Sequence, residues 1–404
     1  MQSRRPQTLS LASAMNPMER FTTYFQGSTQ IWMITLLLAV FSFLPVFSAS
    51  TNVYMHMAHI TLGLLIAQGA HRVPYRFFGP LSVMMLWISL GLLAFTIAQG
   101  QTIGGANSSR WIYVFGLSFQ PSALAAVTLM VYLARKLAKH EGPWEFKASI
   151  KSLLWPIFAV CALVLPANFS TTALIFVNSM ILLSVGGYPL KHVSKILGAG
   201  IVFLGLFIAL AKAFPEAMPN RVDTWMERID TFVGGGDEDD TYQTTLAMTA
   251  IAEGGVKGMG PGRGLHKHFL PQNNSDFIYA TIVEEYGLVG GTAVLLMYLW
   301  FMLASVRVAR RAHDLFGRLV VIGLSFAISF QALINMAVAV NLFPVTGQTL
   351  PLVSAGGSSI WMTCLAIGII LSVSRGRGDG ETMDADMDQA NAEEIQSLNA
   401  LEDA

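Results

Sequence analysis

The sequence predicts an all-α, polytopic membrane protein, and its composition and the spacing of its apolar runs both support that prediction. Of the 404 residues, 53% are hydrophobic and only 12% are charged. The mean hydropathy is +0.53, whereas soluble domains carry about a quarter charged residues. At about 20 apolar residues per spanning helix, apolar runs account for most of the chain. A soluble multidomain enzyme is therefore excluded.

Successive apolar runs predict about ten transmembrane helices. Only one sizeable polar segment interrupts them, residues 214–275, and it lies between the seventh and eighth runs. An even number of spans places both termini on the same side of the membrane. The runs begin near Ile31, Val53, Pro80, Ser118, Leu153, Thr171, Val193, Phe277, Leu319 and Ser358.

The placement of basic residues predicts that both termini are cytoplasmic. With that orientation all but seven of the 25 Lys and Arg residues face the cytoplasm. Most of the seven belong to the long loop, and charges in long loops have little influence on membrane orientation under the positive-inside rule. We therefore expect a cytoplasmic segment 1–30 without a cleaved signal peptide, a transmembrane domain 31–374 with an extracytoplasmic loop 214–275, and a cytoplasmic tail. The tail, 375–404, is acidic and predicted to be disordered.

Carboxylates are rare in the apolar runs and cluster in the stretch SDFIYATIVEEYG. Charged groups inside a membrane are costly and usually functional. Asp276 is predicted at the N-terminus of a helix, where the helix dipole favours the ionised form, and an ordinary N-cap is the alternative interpretation. Glu284 and Glu285 lie about 12 Å deeper along the helix, which favours structural roles. Gly287 and Gly291 suit close helix packing.

The segment EGGVKGMGPGRG, which ends the long loop, combines glycines with cations. Glycine lets backbone N–H groups approach an anion, and Lys257, Arg263 and Lys267 add positive charge. Phosphate binding is therefore one hypothesis, although the spacing matches no nucleotide-binding motif. The pairs His56–His59 and His266–His268 are not expected to bind a metal.

Several motifs follow one another in a fixed order over about two-thirds of the chain. They are RWI and SFQPS within 110–122, YQ at 242–243, the glycine segment, SDFIYATIVEEYGLVG at 275–290, and FPVTGQTLPLVSAGGSS at 343–359. In these motifs the chain resembles the SEDS family (shape, elongation, division and sporulation), the bacterial FtsW/RodA/SpoVE group. GQTLP at 347–351 is closer to the division-type than to the elongation-type members.

The resemblance implies a peptidoglycan glycosyltransferase that polymerises lipid II at the outer face of the bacterial inner membrane. The FtsW-like motifs imply that this activity serves septal synthesis in cell division. In the family the aspartate of the SDF motif is the essential acid, here Asp276. The implied partners are lipid II, the lipid-linked glycan, a class B penicillin-binding protein and other divisome or elongasome membrane proteins, with no nucleic acid.

At several positions the chain departs from the family pattern. Ala123 and Ala126 stand where the family has a glutamate and a lysine, so both partners of an ion pair are absent. Removing both partners is milder than removing one, because no unpaired charge remains. Asn168 replaces a common aspartate, Gln272 a glutamate and Ala355 a tyrosine. These changes leave the predicted cavity less charged and make Asp276 more important.

The reaction implied is an inverting displacement of undecaprenyl diphosphate, for which we expect Asp276 to act as general base. Positive charge, with a divalent cation such as Mg²⁺ or Mn²⁺, would stabilise the leaving diphosphate. No organic cofactor is expected, and the sequence indicates no ligands for a metal. The expected substrate-binding residues are Arg221, Lys257, Arg263, Gln243 and Ser275.

Two functions other than polymerisation also agree with part of the sequence. A flippase or transporter of lipid-linked precursors would also have many spans and few buried acids. The sequence shows no internal repeat, however, and its candidate site lies at one face instead of the bilayer midplane. The second alternative is a non-catalytic scaffold of the cell-wall synthesis complex, in which Asp276 would only cap a helix.

Overall fold

The computed structural model describes residues 26–49, 52–99, 111–114, 117–213, 238–266, 269–270 and 273–376. The predicted all-α class is confirmed, with one small addition in these ranges, a hairpin of strands β1 (Ile112–Val114) and β2 (Leu117–Phe119). The helices are α1 (Thr29–Ser48), α2 (Val53–Arg72), α3 (Phe78–Gln99), α4 (Pro121–Ala138), α5 (Phe146–Val164), α6 (Phe169–Val185), α7 (Leu190–Ala213), α8 (Glu238–Gly254), α9 (Ile278–Arg311), α10 (Leu315–Ala339) and α11 (Gly357–Gly376).

A helix lies at each of the predicted apolar runs. Within the described residues, seven helices are long and apolar enough to cross a membrane, and α6 is apolar but shorter. The polytopic membrane fold is therefore confirmed, while the count of ten spans stays a prediction. The seven are α1, α4, α5, α9, α10, α11 and the helix Tyr75–Ala98, which includes α3 up to Ala98.

Local sequence explains where several helices begin. The side chains of Asn52, Asn168 and Asp314 each accept a hydrogen bond from the backbone N–H three residues later, at 2.8–3.2 Å. Such caps satisfy one of the N–H groups that a helix start leaves without an intrahelical partner. Helix α4 instead begins with Pro121, whose missing N–H costs nothing at the first helical position.

One helix boundary and one additional helix differ from the prediction. Helix α5 begins at Phe146 instead of near Leu153, because its first two turns carry Lys147 and Lys151 and hydropathy marks only the apolar part. The second difference is α8, a helix inside the segment predicted as one polar loop. The N-terminal residues 1–25, the loop residues 214–237 and the tail 377–404 lie outside the described residues.

Helix α10 lies at the centre of the bundle and packs against α9, α4 and α6, while α8 packs against α9. Large buried side chains such as Tyr298, Leu129 and Ile157 fill the core. By contrast, α3 exposes Trp87 and Met84, as expected of a lipid-facing helix. Because α9 runs from Ile278 to Arg311, Asp276 and Arg311 lie at opposite ends of this helix.

Candidate active site

Asp276 lies in a turn formed by residues 273–277, immediately before α9. The helix begins at Ile278 and its N-cap is Phe277, which provides no side-chain cap. Asp276 therefore lies one residue before the N-cap assigned to this helix, and its interpretation as an ordinary N-cap stays an alternative. Its side chain is half-buried, whereas Glu284 and Glu285 are each only 1% exposed.

The turn is bound on one side to the loop between α10 and α11. The Ser354 hydroxyl donates to the carbonyl of Ser275 at 2.7 Å. The hydroxyl oxygen of Ser354 also accepts a hydrogen bond from the N–H of Leu350 at 2.7 Å. The N–H of Ala355 donates to the carbonyl of Asn274 at 2.8 Å. The SDF turn and the segment containing TLPLVSAGG are thus joined by one side-chain and one backbone hydrogen bond.

Asn335 of α10 supports the same turn from inside the bundle. Its side-chain amide, in a residue only 1% exposed, donates to the carbonyl of Asp276 at 2.9 Å and to that of Gln348 at 2.7 Å. The Gln348 amide in turn donates to the hydroxyl of Thr171 at 2.8 Å. The position of Asp276 therefore depends on α6, α10 and the loop before α11 together.

A small apolar cluster anchors the turn from its C-terminal side. Phe277 is fully buried, and it follows Asp276 directly, so its packing restricts the motion of the carboxylate-bearing residue. The cluster comes from α8, α9, α10 and the loop before the turn. Its buried members are Ala247, Leu270, Phe277, Ala280, Val338 and Ala339.

The carboxylate of Asp276 lies beside the backbone of Gly347. A Cβ built on Gly347 would stand 3.6 Å from Oδ2 of Asp276, and Gly347 has a positive φ of 66°. A side chain at this position would be strained by the backbone conformation, and its Cβ would make an ordinary van der Waals contact with the carboxylate. The glycine of the GQTLP motif thus allows the turn that brings this backbone beside Asp276.

Glu284 and Glu285 have protein partners, in keeping with the structural roles expected of them. Oε1 of Glu284 accepts from the N–H groups of Leu265 and His266 at 2.7 and 2.9 Å. The Ser48 hydroxyl of α1 donates to Oε1 of Glu285. Glu284 therefore braces the end of the glycine segment, and Glu285 joins α9 to α1.

The glycine segment is bound to a kink in α9, and several of its backbone N–H groups have acceptors within the protein. The N–H groups of Met259 and Gly260 donate to the carbonyls of Glu284 and Glu285 at 2.9 and 3.0 Å. Those of Gly258, Arg263, Leu265 and His266 also donate to acceptors within the chain. These donors are therefore engaged in folding.

Gly287 has a different role from the helix packing predicted for it. It interrupts α9 with φ 69° and ψ −173°, so the regular helical periodicity predicted from Asp276 to Gly287 ends there. A Cβ on Gly287 would lie 2.2 Å from the carbonyl oxygen of Val256. Close backbone approach to the glycine segment, and not to another helix, explains the glycine.

The remaining predicted site residues are distributed over three places. Lys257 and Arg263 are exposed on the glycine segment, and Gln243 is half-buried on α8. Ser275 lies next to Asp276 in the turn and is held through its carbonyl. Arg221 lies outside the described residues. The expected substrate-binding roles of all five stay predictions.

Three of the departures from the family pattern have local explanations, whereas nothing in the structure explains Ala123. Asn168 is the N-cap of α6 and needs no charge for that role, since asparagine and aspartate cap about equally well. Ala126 and Ala355 are partly buried and pack against the main core, so apolar packing occupies these places. Gln272 lies outside the described residues.

The amides that hold the turn were not predicted from the sequence. Gln331 and Asn335 are four residues apart in the mostly apolar α10 and share a face, and Gln331 donates to the carbonyl of Thr349 at 2.9 Å. Two amides at this spacing in a transmembrane run are a recognisable signal, because buried polar groups need partners.

Comparison with known proteins agrees with this geometry. The sequence profile of the FtsW/RodA/SpoVE family, described as cell cycle protein, matches residues 28–378. The chain belongs to this family. The predicted SEDS membership is therefore confirmed, and so is the greater likeness to FtsW, since many of the relatives carry that name.

Two relatives illustrate the range of the family. The chain is 32% identical to a probable peptidoglycan glycosyltransferase FtsW of Nitrosococcus halophilus over 322 residues, 78% of this chain and 80% of the relative. It is 30% identical to stage V sporulation protein E of Bacillus subtilis over 302 residues, 73% of this chain and 79% of the relative.

Solved structures show the same fold. A chain of a peptidoglycan synthase complex, in which polymerization and crosslinking are structurally coordinated, superposes with a TM-score of 0.72 at 25% identity, covering 88% of this chain and 99% of that one. The rod shape determining protein RodA of Thermus thermophilus gives a TM-score of 0.64 at 24% identity, covering 88% and 99%.

Proposed function

We propose that this family member is a peptidoglycan glycosyltransferase that polymerises lipid II into β-1,4 glycan strands during septal synthesis. The names of the FtsW relatives support the activity and its role in division. The observation that carries the mechanism is the position of Asp276. It lies outside the helix cap, half-buried, on a turn that three other parts of the fold hold in place.

In the proposed reaction Asp276 is the general base. The 4-hydroxyl oxygen of a GlcNAc residue attacks the anomeric carbon of a MurNAc carried on an α-diphosphate. The new glycosidic C–O bond forms as the bond to the diphosphate breaks, and the hydroxyl proton passes to the carboxylate of Asp276. Undecaprenyl diphosphate leaves with the bonding electrons, and the anomeric centre is inverted. An aspartate is already ionised at neutral pH, so it is ready to accept the proton.

The negative charge that develops on the departing diphosphate must be stabilised by positive charge. The exposed side chains of Lys257 and Arg263 can provide it. Lys257 and Arg263 project from a segment whose backbone is fixed to α9, the helix that follows Asp276. We propose that they act with Arg221 and a divalent cation, Mg²⁺ or Mn²⁺, and that Gln243 and Ser275 contact the substrate. The glycine segment contributes its side-chain cations and not its engaged N–H groups.

The orientation follows from the distribution of charge. Arg307 and Arg311 line one pocket near the end of α9, and Arg76, Arg135 and Lys139 line another. These basic residues lie at the end of the bundle opposite to Asp276, and the positive-inside rule assigns that end to the cytoplasm. We therefore propose an inner-membrane protein whose active site is extracytoplasmic.

The proposed partner is a class B penicillin-binding protein, whose transpeptidase would cross-link the new strands. Its support is the similarity in fold to a chain of a peptidoglycan synthase complex that coordinates polymerization and crosslinking. Lipid II and the lipid-linked glycan are the proposed substrates, and other divisome proteins complete the assembly.

Glycan polymerisation from purified lipid II tests this function. Wild type and Asp276→Asn are compared with the partner and a divalent cation present. The matched control is Asp314→Asn, because Asp314 is a genuine N-cap that asparagine replaces with little loss. We expect Asp276→Asn to lose at least about 100-fold in rate, the lower range for general-base catalysis, and Asp314→Asn to keep wild-type activity.

Each other outcome has a definite meaning. If Asp276→Asn polymerises as well as wild type, the base assignment is wrong. If the folded wild-type complex makes no strands, the polymerase proposal fails, and a lipid II translocation assay in vesicles then tests the transport alternative.

A further inference from the structure

The fold assembles three potential metal ligands that are far apart in sequence. Glu253 lies near the end of α8, His266 in the glycine segment and Glu284 on α9. Donor atoms of the three side chains all lie within 4.8 Å of one another. Nδ1 of His266 is 3.1 Å from Oε1 of Glu284 and 3.6 Å from Oε2 of Glu253.

Glu284 has one carboxylate oxygen without a hydrogen-bond partner in the described part of the chain. Its side chain is only 1% exposed, and Oε1 accepts from Leu265 and His266, whereas Oε2 accepts no hydrogen bond from the described residues. A buried carboxylate oxygen that lacks a partner is costly. The second carboxylate, Glu253, adds further negative charge beside it. A cation bound between Glu253 and Glu284 would provide the missing partner and would neutralise the repulsion between the two carboxylates.

The spacing of the donor atoms suits a single ion. Two ligands that each bind a metal at about 2.1 Å can be at most about 4.2 Å apart. The separations of 3.1 and 3.6 Å around Nδ1 of His266 lie within this limit. The Glu253 side chain is 44% exposed, so solvent reaches the cluster on that side and water can complete the coordination.

We propose that Glu253, His266 and Glu284 form a binding site for a transition-metal dication. One imidazole nitrogen and two carboxylates favour Zn²⁺ or Mn²⁺ over Mg²⁺ and Ca²⁺, which prefer oxygen ligands alone. The bound ion joins α8, the glycine segment and α9 next to the kink. It is a structural site, separate from any cation at the diphosphate, and its ligand Glu284 lies eight residues beyond Asp276 in the sequence.

Metal binding to the purified full-length protein tests this site without an activity assay. The protein is stripped with a chelator and titrated with Mn²⁺ or Zn²⁺, following bound Mn²⁺ by electron paramagnetic resonance and Zn²⁺ by elemental analysis. We expect one tightly bound ion and a higher apparent melting temperature. Glu253→Gln and His266→Gln should each raise the dissociation constant at least tenfold and abolish the melting shift.

The variants are chosen to keep the fold. Glu253 is partly exposed, and glutamine at 266 can still contact Glu284. The control replaces the acidic run Asp237, Glu238, Asp239 and Asp240, which precedes Glu253 in the sequence, with amides, and this should leave binding unchanged. The proposal is wrong if the stripped protein binds no ion. It is equally wrong if the acidic run, and not Glu253 and His266, accounts for the binding. Neither result bears on Asp276 as the base.

Discussion

Gly287→Ala tests how far the kink in α9 depends on the glycine segment. Gly287 has φ 69° and ψ −173°, a region that is essentially restricted to glycine. A Cβ would lie 2.2 Å from the carbonyl oxygen of Val256 and 2.5 Å from the N–H nitrogen of Gly258. Both contacts are with backbone, so a side-chain rotation cannot relieve them and the segment must move.

The expected cost combines strain with lost hydrogen bonds. The backbone conformation costs an alanine about 1–3 kcal/mol. Moving the segment threatens four hydrogen bonds beside the kink, of 2.9–3.3 Å, and each contributes about 0.5–1.5 kcal/mol. If two of them are lost, the free energy of unfolding falls by about 2–6 kcal/mol in total. The bonds are Met259 to Glu284, Gly260 to Glu285, Leu288 to Gly255 and Val289 to Val256.

Two other glycines provide matched controls. Gly255 also has a positive φ, 50°, but a Cβ there would meet nothing within 4 Å. Gly255→Ala therefore carries only the conformational strain, about 1–2 kcal/mol. Gly91 lies within helix α3 with open space around it, so Gly91→Ala should be neutral or slightly stabilising through helix propensity.

Apparent melting temperatures of the purified proteins measure these effects in one detergent. The expected order, from most to least stable, is Gly91→Ala, Gly255→Ala and Gly287→Ala. A Gly287→Ala protein that melts no lower than Gly255→Ala would refute the reasoning. It would mean that the glycine segment is not held against the kink.

Two further predictions concern the amides around the site. Asn335→Leu removes the two hydrogen bonds that the amide donates to the carbonyls of Asp276 and Gln348 but keeps about the same side-chain volume. Because the Asp276 turn is then held less firmly, the polymerisation rate should fall about 100-fold with little change in lipid II affinity. An unchanged rate would show that Asn335 does not position the turn. Asn168→Ala should reduce the free energy of unfolding by about 0.5–2 kcal/mol, whereas Asn168→Asp should retain the cap of α6. Thermal unfolding of the two variants checks this, and equal losses would exclude capping as the role of Asn168.

The structure changes the interpretation of the glycine segment. Its glycines are present because backbone approaches backbone, as at Gly258, where a Cβ would lie 2.3 Å from the carbonyl oxygen of Glu285. Glycine serves an anion site and a close backbone contact equally well, so the residues alone could not distinguish the two. The partner of the segment, the kinked helix α9, begins more than ten residues later in the sequence.

Much of the fold was predictable because hydrophobicity acts locally. Runs of apolar residues identified the helices, including α1 and α10, since a membrane-spanning segment must satisfy its own backbone. Asp276 was also identifiable, as a carboxylate at the edge of an apolar run. Helix α8 was missed because it has few apolar residues and acquires its stability by packing on α9.

The sequence by itself determined the membrane-spanning helical class, the family and the candidate base Asp276, because each depends on local composition or on short motifs. Only the tertiary structure decided what holds Asp276 in place, why Gly287 is a glycine, and that His266 meets Glu253 and Glu284. Those contacts join residues on different helices and loops. Their pairing follows from how α6, α8, α9 and α10 pack together, which no local pattern in the chain records.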